Sequence, residues 1–123
     1  MEIILIFYWW NVDRLNSSLQ WKEIYNSTTP MSSITLDKSI YEYTEAQVSI
    51  DILTGQGFYG LVGSISENSN VLLVSAINIE YIYIAEFEIL NSGKTLKVSR
   101  VGVVNHGTSN YSQVGSVLGI RVR

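Results

Sequence analysis

Apolar and polar residues alternate most sharply between residues 79 and 104, IEYIYIAEFEILNSGKTLKVSRVGVV. Ile79, Tyr81, Tyr83, Ala85, Phe87 and Ile89 occupy one set of alternate positions, and Glu80, Ile82, Ile84, Glu86, Glu88 and Leu90 occupy the other. A period of two is that of a β-strand, so the first set predicts a core face and the second a mixed outer face. Asn91-Ser92-Gly93-Lys94 then joins this strand to a second one as a hairpin. With Ser92 and Gly93 as a two-residue turn, Ile89 falls opposite Leu96, Phe87 opposite Val98, and Glu88 opposite Lys97. A slip of one residue would set Leu96 against Glu88, and at about 0.2–1 kcal/mol per cross-strand pair the first register wins. Gly93 supplies the positive φ that such turns require.

The rest of the chain reads as shorter strands and turns. Ile3 to Trp10 is apolar on both alternating faces, which predicts a first strand buried from both sides or held at a subunit contact. It is no secretory signal, because Glu2 stands where a positive charge belongs, and its roughly eight apolar residues are too few to span a bilayer. Asn11 to Gln20 is a polar loop, Trp21 to Tyr25 a short strand, and Asn26 to Pro30 (NSTTP) a turn. Ile34 and Leu36 mark a brief strand in SITL, and Asp37 to Ala46 a turn pinned to the core by Ile40, Tyr41 and Tyr43. From Gln47 to Leu53, Val48, Ile50 and Ile52 face inward while Gln47, Ser49 and Asp51 face water. Gly55, Gly57 and Gly60 punctuate a connection around Phe58 and Tyr59. Strands are expected again at Leu61 to Ile65, Val71 to Ala76 and Val114 to Val122, with SENSN as a turn and His106 to Gln113 as a polar loop. No stretch keeps helical spacing. Eight or nine short strands predict an all-β antiparallel fold, a β-sandwich or jelly roll, as a single domain over residues 1–123.

Composition narrows the chemistry. The chain has no cysteine, hence no disulfide frame, thiolate metal site or cysteine nucleophile. Its eight Lys and Arg are scattered and its net charge is −3, which argues against nucleic acid as a partner. Only 15% of residues are charged, while Ser, Thr, Asn and Tyr are abundant, a surface suited to extracellular or virion proteins. His106 is the single histidine, too few for a zinc site, and no GxSxG elbow marks a serine nucleophile. Glu86 and Glu88 lie close enough for paired-carboxylate chemistry, but Glu88 has Lys97 opposite, which reads as an ion-paired face. Asp37, Glu42 and Glu45 fit no calcium-loop spacing. No catalytic residue, metal or cofactor is therefore expected. Saccharide sites set aromatic rings beside amide and imidazole side chains on loops. Two connections have that composition: Gly55 to Gly60 with Phe58 and Tyr59, and Asn105 to Gln113 with Asn105, His106, Asn110 and Tyr111. Trp9, Trp10 and Trp21 read as core or subunit contacts.

Two stretches add a resemblance. WKEIYNSTTPMSSITLDKSIYEYTEAQVSI (Trp21 to Ile50) resembles the opening of C-terminal domains in receptor-binding proteins of bacteriophage tails and baseplates, where a Trp strand precedes an ITL strand, an sI..Y turn and an alternating strand. YIYIAEFEILNSGKTLKVSRVGVVNHGTSNYSQVGSVLGIRVR resembles the ending of those domains, a long hairpin, a polar loop and a last strand of the form V..VLGIR. The resemblance implies a β-sandwich that forms a homotrimer at a fibre or baseplate tip, outside the cell on the virion and beside other tail proteins. It also implies non-enzymatic binding of a bacterial cell-surface glycan. The alternative is a structural assembly or decoration module of the virion without glycan binding. Met1 directly before an apolar strand points to an excised domain or a small stand-alone protein. Membrane insertion is not expected.

Overall fold

The computed structural model describes residues 20–51, 58–77, 80–105, 107–112 and 115–123. The apolar run at residues 3–10, Ile52 and His106 lie outside them. Nine strands are found among the described residues: β1 (Lys22–Met31), β2 (Ser33–Thr35), β3 (Glu45–Asp51), β4 (Tyr59–Ser64), β5 (Val71–Ile77), β6 (Tyr81–Leu90), β7 (Thr95–Asn105), β8 (Thr108–Ser112) and β9 (Ser116–Val122).

The hairpin forms in the register its side chains dictate. Phe87 lies opposite Val98, Glu88 opposite Lys97 and Ile89 opposite Leu96. Asn91 (φ 52°), Ser92 (φ 56°, ψ 37°) and Gly93 (φ 90°) are all left-handed, one residue more than a two-residue turn requires, and the Lys94 N–H closes the turn on the Asn91 carbonyl at 3.2 Å. A side chain at Gly93 would also collide with the Ser39 hydroxyl. Tyr83, Ala85, Phe87 and Ile89 are buried, with Phe87 the largest side chain fully out of solvent among the described residues. In β7 the apolar positions run Leu96, Val98, Val101, Val103, out of step by one residue after Val98. The ladder absorbs the surplus as a β-bulge, passing from Phe87 opposite Val98 to Glu86 opposite Arg100 and leaving Ser99 unmatched. The Ser99 hydroxyl donates to the Glu86 carbonyl at 3.0 Å, and all four apolar residues stay inside.

All pairings are antiparallel, and the sheet order is β1-β9-β3-β4-β5-β6-β7-β2, with β8 also on β7. β1 and β2 are one run broken at Ser32. Its first part pairs with β9 and its second with β7, so the ends of the order meet and the single sheet curls nearly closed into a barrel. The two layers expected of a sandwich are opposite walls of this one sheet. The core is the inner face of every long strand, with Val48 and Ile50, Leu61, Leu72 and Val74, and Val117, Ile120 and Val122 all buried. Where the segment after β2 crosses one end, Ile40–Glu42 form a single 3₁₀ turn capped by the Ser39 hydroxyl, and the Tyr41 hydroxyl donates to the Ser69 carbonyl at 2.7 Å.

Two segments depart from the sequence expectation. Asn26 to Pro30 does not end its strand but bulges within it: Asn26 pairs with Gly119, and the next pair is Met31 with Val117. The Ser27 side chain satisfies the Thr29 N–H and carbonyl locally, and Pro30 sits where no ladder hydrogen bond is asked of it. The polar stretch after residue 107 is not a loop but β8, paired with β7 from Thr108 opposite Asn105 to Ser112 opposite Val101. All five of its residues are exposed, so no apolar alternation announces it. Backbone pairing alone makes it a strand.

Candidate functional site

Three of the sequence-predicted residues lie on the β7–β8 hairpin, Asn105 and Asn110 on the face of Val103 and Tyr111 on the other. Asn105 ends β7, opposite both Tyr81 and Thr108, and Gly107 (φ 82°) turns the chain into β8. The Asn105 Oδ1 atom is buried and accepts no hydrogen bond among the described residues. Asn110 is exposed opposite Val103, and Tyr111 is exposed opposite Gly102. The Tyr111 ring lies directly over Gly102, where any Cβ would overlap it, and the Arg100 guanidinium sits 5.0 Å from the ring centroid. Arg100 is itself held by Glu86 at 3.6 Å. Half of the Tyr111 surface (52%) still meets solvent, so this aromatic is propped on a glycine and a cation rather than sunk into the core.

Phe58 and Tyr59 stand apart from that hairpin. Phe58 is exposed, and Tyr59 opens β4 opposite Ile50. β5, β6 and β7 lie between β4 and β8, so along the sheet Tyr59 and Tyr111 are about 19 Å apart at the usual strand spacing. His106 lies outside the described residues. Glu45, one of the scattered acids, accepts from the Arg123 guanidinium at 3.4 Å, and that guanidinium covers the Trp21 ring at 4.2 Å.

A second concave surface was not legible as a motif. On the outer face of β1, β9, β3 and β4 runs a groove of about 340 Å³. The strand alternation that buries Val48 and Ile50 turns Gln47 and Ser49 outward into it, and Arg121 stands opposite both Gln47 and Glu23. Leu118 is the surplus residue of a bulge in β9, between Gly119 opposite Ser49 and Val117 opposite Ile50. On the other side of β9, β1 leaves the ladder after Asn26. The two irregularities coincide, and the sheet surface is hollowed there. The sequence signal was weak but present, since Gly60 and Gly119 interrupt strand-like stretches.

On the neighbouring strands, Leu73 and Ile77 of β5 and Ile82 of β6 are exposed at 55%, 76% and 39%, and Ile77 pairs directly with Ile82. This is a larger apolar outer surface than isolated surface residues account for. Among the described residues no helix is long and apolar enough to cross a membrane. Comparison with known protein families, with curated proteins and with solved structures gave no match for this chain.

Proposed function

We propose that this protein is a non-enzymatic recognition domain of a bacteriophage tail or baseplate that binds a saccharide of the bacterial surface as a homotrimer. The observation that carries the reading is the Tyr111 ring, exposed but immobilised on Gly102 beside Arg100. A sugar ring stacks on such a surface with little loss of side-chain freedom, because the aromatic is ordered before the ligand arrives. The virion setting and the trimer come from the resemblance of the Trp21–Ile50 and Tyr81–Arg123 stretches to tail-tip domains. Three copies at one tip bring avidity to weak single sites. Tyr111→Ala is expected to abolish adsorption to host cells while leaving the melting temperature within about 2 °C, since a half-exposed side chain contributes little to the fold. Unchanged adsorption would remove the β7–β8 hairpin from the site.

A structural assembly role is favoured by a different observation, the apolar outer surface of Leu73, Ile77 and Ile82. If that surface docks a neighbouring virion protein, Ile77→Ser with Ile82→Ser prevents incorporation into particles and leaves cell adsorption by the isolated protein untouched.

A further inference from the structure

The described glycines separate into three kinds. Gly93 and Gly107 have φ of 90° and 82°, which L side chains rarely adopt. Gly63 faces the Leu73 carbonyl, Gly102 the Tyr111 ring, and Gly115 the Val101 side chain at 2.6 Å, so each is a glycine because something inside the molecule occupies the Cβ position. Gly60 and Gly119 have neither reason. Their φ values are not positive, and a Cβ built on either meets nothing nearer than 3.5 Å, the Gln47 amide at Gly60 and the Tyr25 carbonyl at Gly119. A glycine inside a strand weakens it, and it marks a bulge, a bend or the close approach of something to the backbone; Gly119 borders the bulge at Leu118, whereas Gly60 lies in the unbroken β3–β4 ladder. These two are also not scattered. Both lie opposite the same residue, Ser49, one on β4 and one on β9, at the floor of the 340 Å³ groove.

We infer that this groove is a ligand site, and that its ligand is a neutral, hydroxyl-rich chain, an oligosaccharide segment lying across β1, β9, β3 and β4 against the bare backbone at Gly60 and Gly119. The class follows from the walls. Glu23 and Arg121 face each other across the β1–β9 ladder, and neither enters an ion pair among the described residues, so the groove offers a carboxylate acceptor and a guanidinium donor whose charges cancel. Gln47 and Ser49 each add a donor and an acceptor. A surface that both donates and accepts at short intervals without net charge matches hydroxyl groups, which do the same, and not an anion. Four strands span about 14 Å at the usual spacing, room for several sugar units. The identity of the ligand rests on the saccharide reading proposed above. The location rests on the glycines and the groove.

The test uses the whole chain, tagged and pre-clustered so that weak sites register, on a printed array of neutral and acidic oligosaccharides. Gly60→Val, Gly119→Val and Tyr111→Ala variants are compared with the unaltered protein, with melting curves for each. The inference expects neutral oligosaccharides to be retained by the unaltered chain and lost at least ten-fold in both glycine variants, whose melting temperatures hold or rise. Folded glycine variants that bind as before, with binding lost only in Tyr111→Ala, would overturn the groove and leave the saccharide reading standing. Retention of acidic oligosaccharides alone would overturn the neutral assignment. If the unaltered chain retains nothing on the array, the saccharide reading fails and the ligand class assigned to the groove fails with it. Should a valine variant unfold, Gly119→Ala, which adds a single methyl where 3.5 Å is free, gives the same comparison.

Discussion

The seam between β4 and β5 makes a sharp prediction, because two glycines three residues apart on one strand should respond to the same substitution with opposite signs. A methyl added at Gly63 would overlap the Leu73 carbonyl oxygen and lie 2.9 Å from its carbon, and both are backbone atoms that cannot swing aside. β4 and β5 would have to part, and they are joined in register only at Val62 opposite Ser75, whereas β3 and β4 share a full ladder. Overpacking of this kind costs about 1–3 kcal/mol. Against it stands the gain of about 0.4–1 kcal/mol from removing glycine's freedom in the unfolded chain. Gly63→Ala should therefore be less stable by about 1–2 kcal/mol, a fall of about 4–8 °C in melting temperature for a domain this size. At Gly60 the new methyl meets only the Gln47 amide at 3.5 Å, so the unfolded-state gain stands alone and Gly60→Ala should melt about 2–4 °C higher. Urea titration monitored by circular dichroism measures both under the two-state assumption proper to a chain of this length. If Gly63→Ala proves as stable as Gly60→Ala, the close approach of β4 to β5 is wrong, and the sorting of glycines used to place the groove loses its basis.

Other substitutions probe the core, the bulge and the chain ends. Phe87→Ala empties the largest fully buried site among the described residues and should cost about 3–5 kcal/mol in chemical denaturation. Deleting Ser99 removes the β7 bulge yet keeps Leu96, Val98, Val101 and Val103 inward, so the protein should still fold, weakened by about 1 kcal/mol for the bond to Glu86. Deleting Lys97 instead turns Val98 outward and Ser99 inward, and should lower the melting temperature far more than loss of Ser99. Arg123→Ala uncovers Trp21 and frees Glu45. As the pair is partly exposed the cost should be about 1 kcal/mol, with a shift in tryptophan emission.

How far the sequence led depended on whether side chains or backbone decided the structure. The β6–β7 register was legible because Phe87, Ile89, Leu96 and Val98 can share a face in only one alignment, with Glu88 against Lys97 on the other. Ile34, Val48 and Ile50 were legible for the same reason. β8 was not, because Thr108 to Ser112 bury nothing and owe their conformation to hydrogen bonding with β7. Asn26 to Pro30 misled, since residues that favour turns also suit a bulge. Tyr111 and Asn110 were singled out by composition as candidates, and both stand exposed on the surface, on opposite faces of the hairpin. The support of Tyr111 by Gly102 and Arg100 needed the register of β7 with β8 and the bulge at Ser99. The groove was the least legible feature, as Glu23, Gln47, Gly60 and Arg121 come from four segments that meet only when the sheet curls round.

That curling also has a temporal side. β9 lies between β1 and β3, and the bent run of β1 and β2 reaches both β9 and β7. During synthesis β3 to β8 emerge as a meander of neighbours that can pair at once, but β1 must wait for residues 116–122 to leave the ribosome before it meets β9, its partner among the described residues. Until then the nascent sheet carries open edges, with Val48 and Ile50 lacking Ile120 and Val117 beside them. A stalled or prematurely terminated chain is thus held at its most adhesive stage, and chaperone demand should fall on the interval before the ninth strand is made.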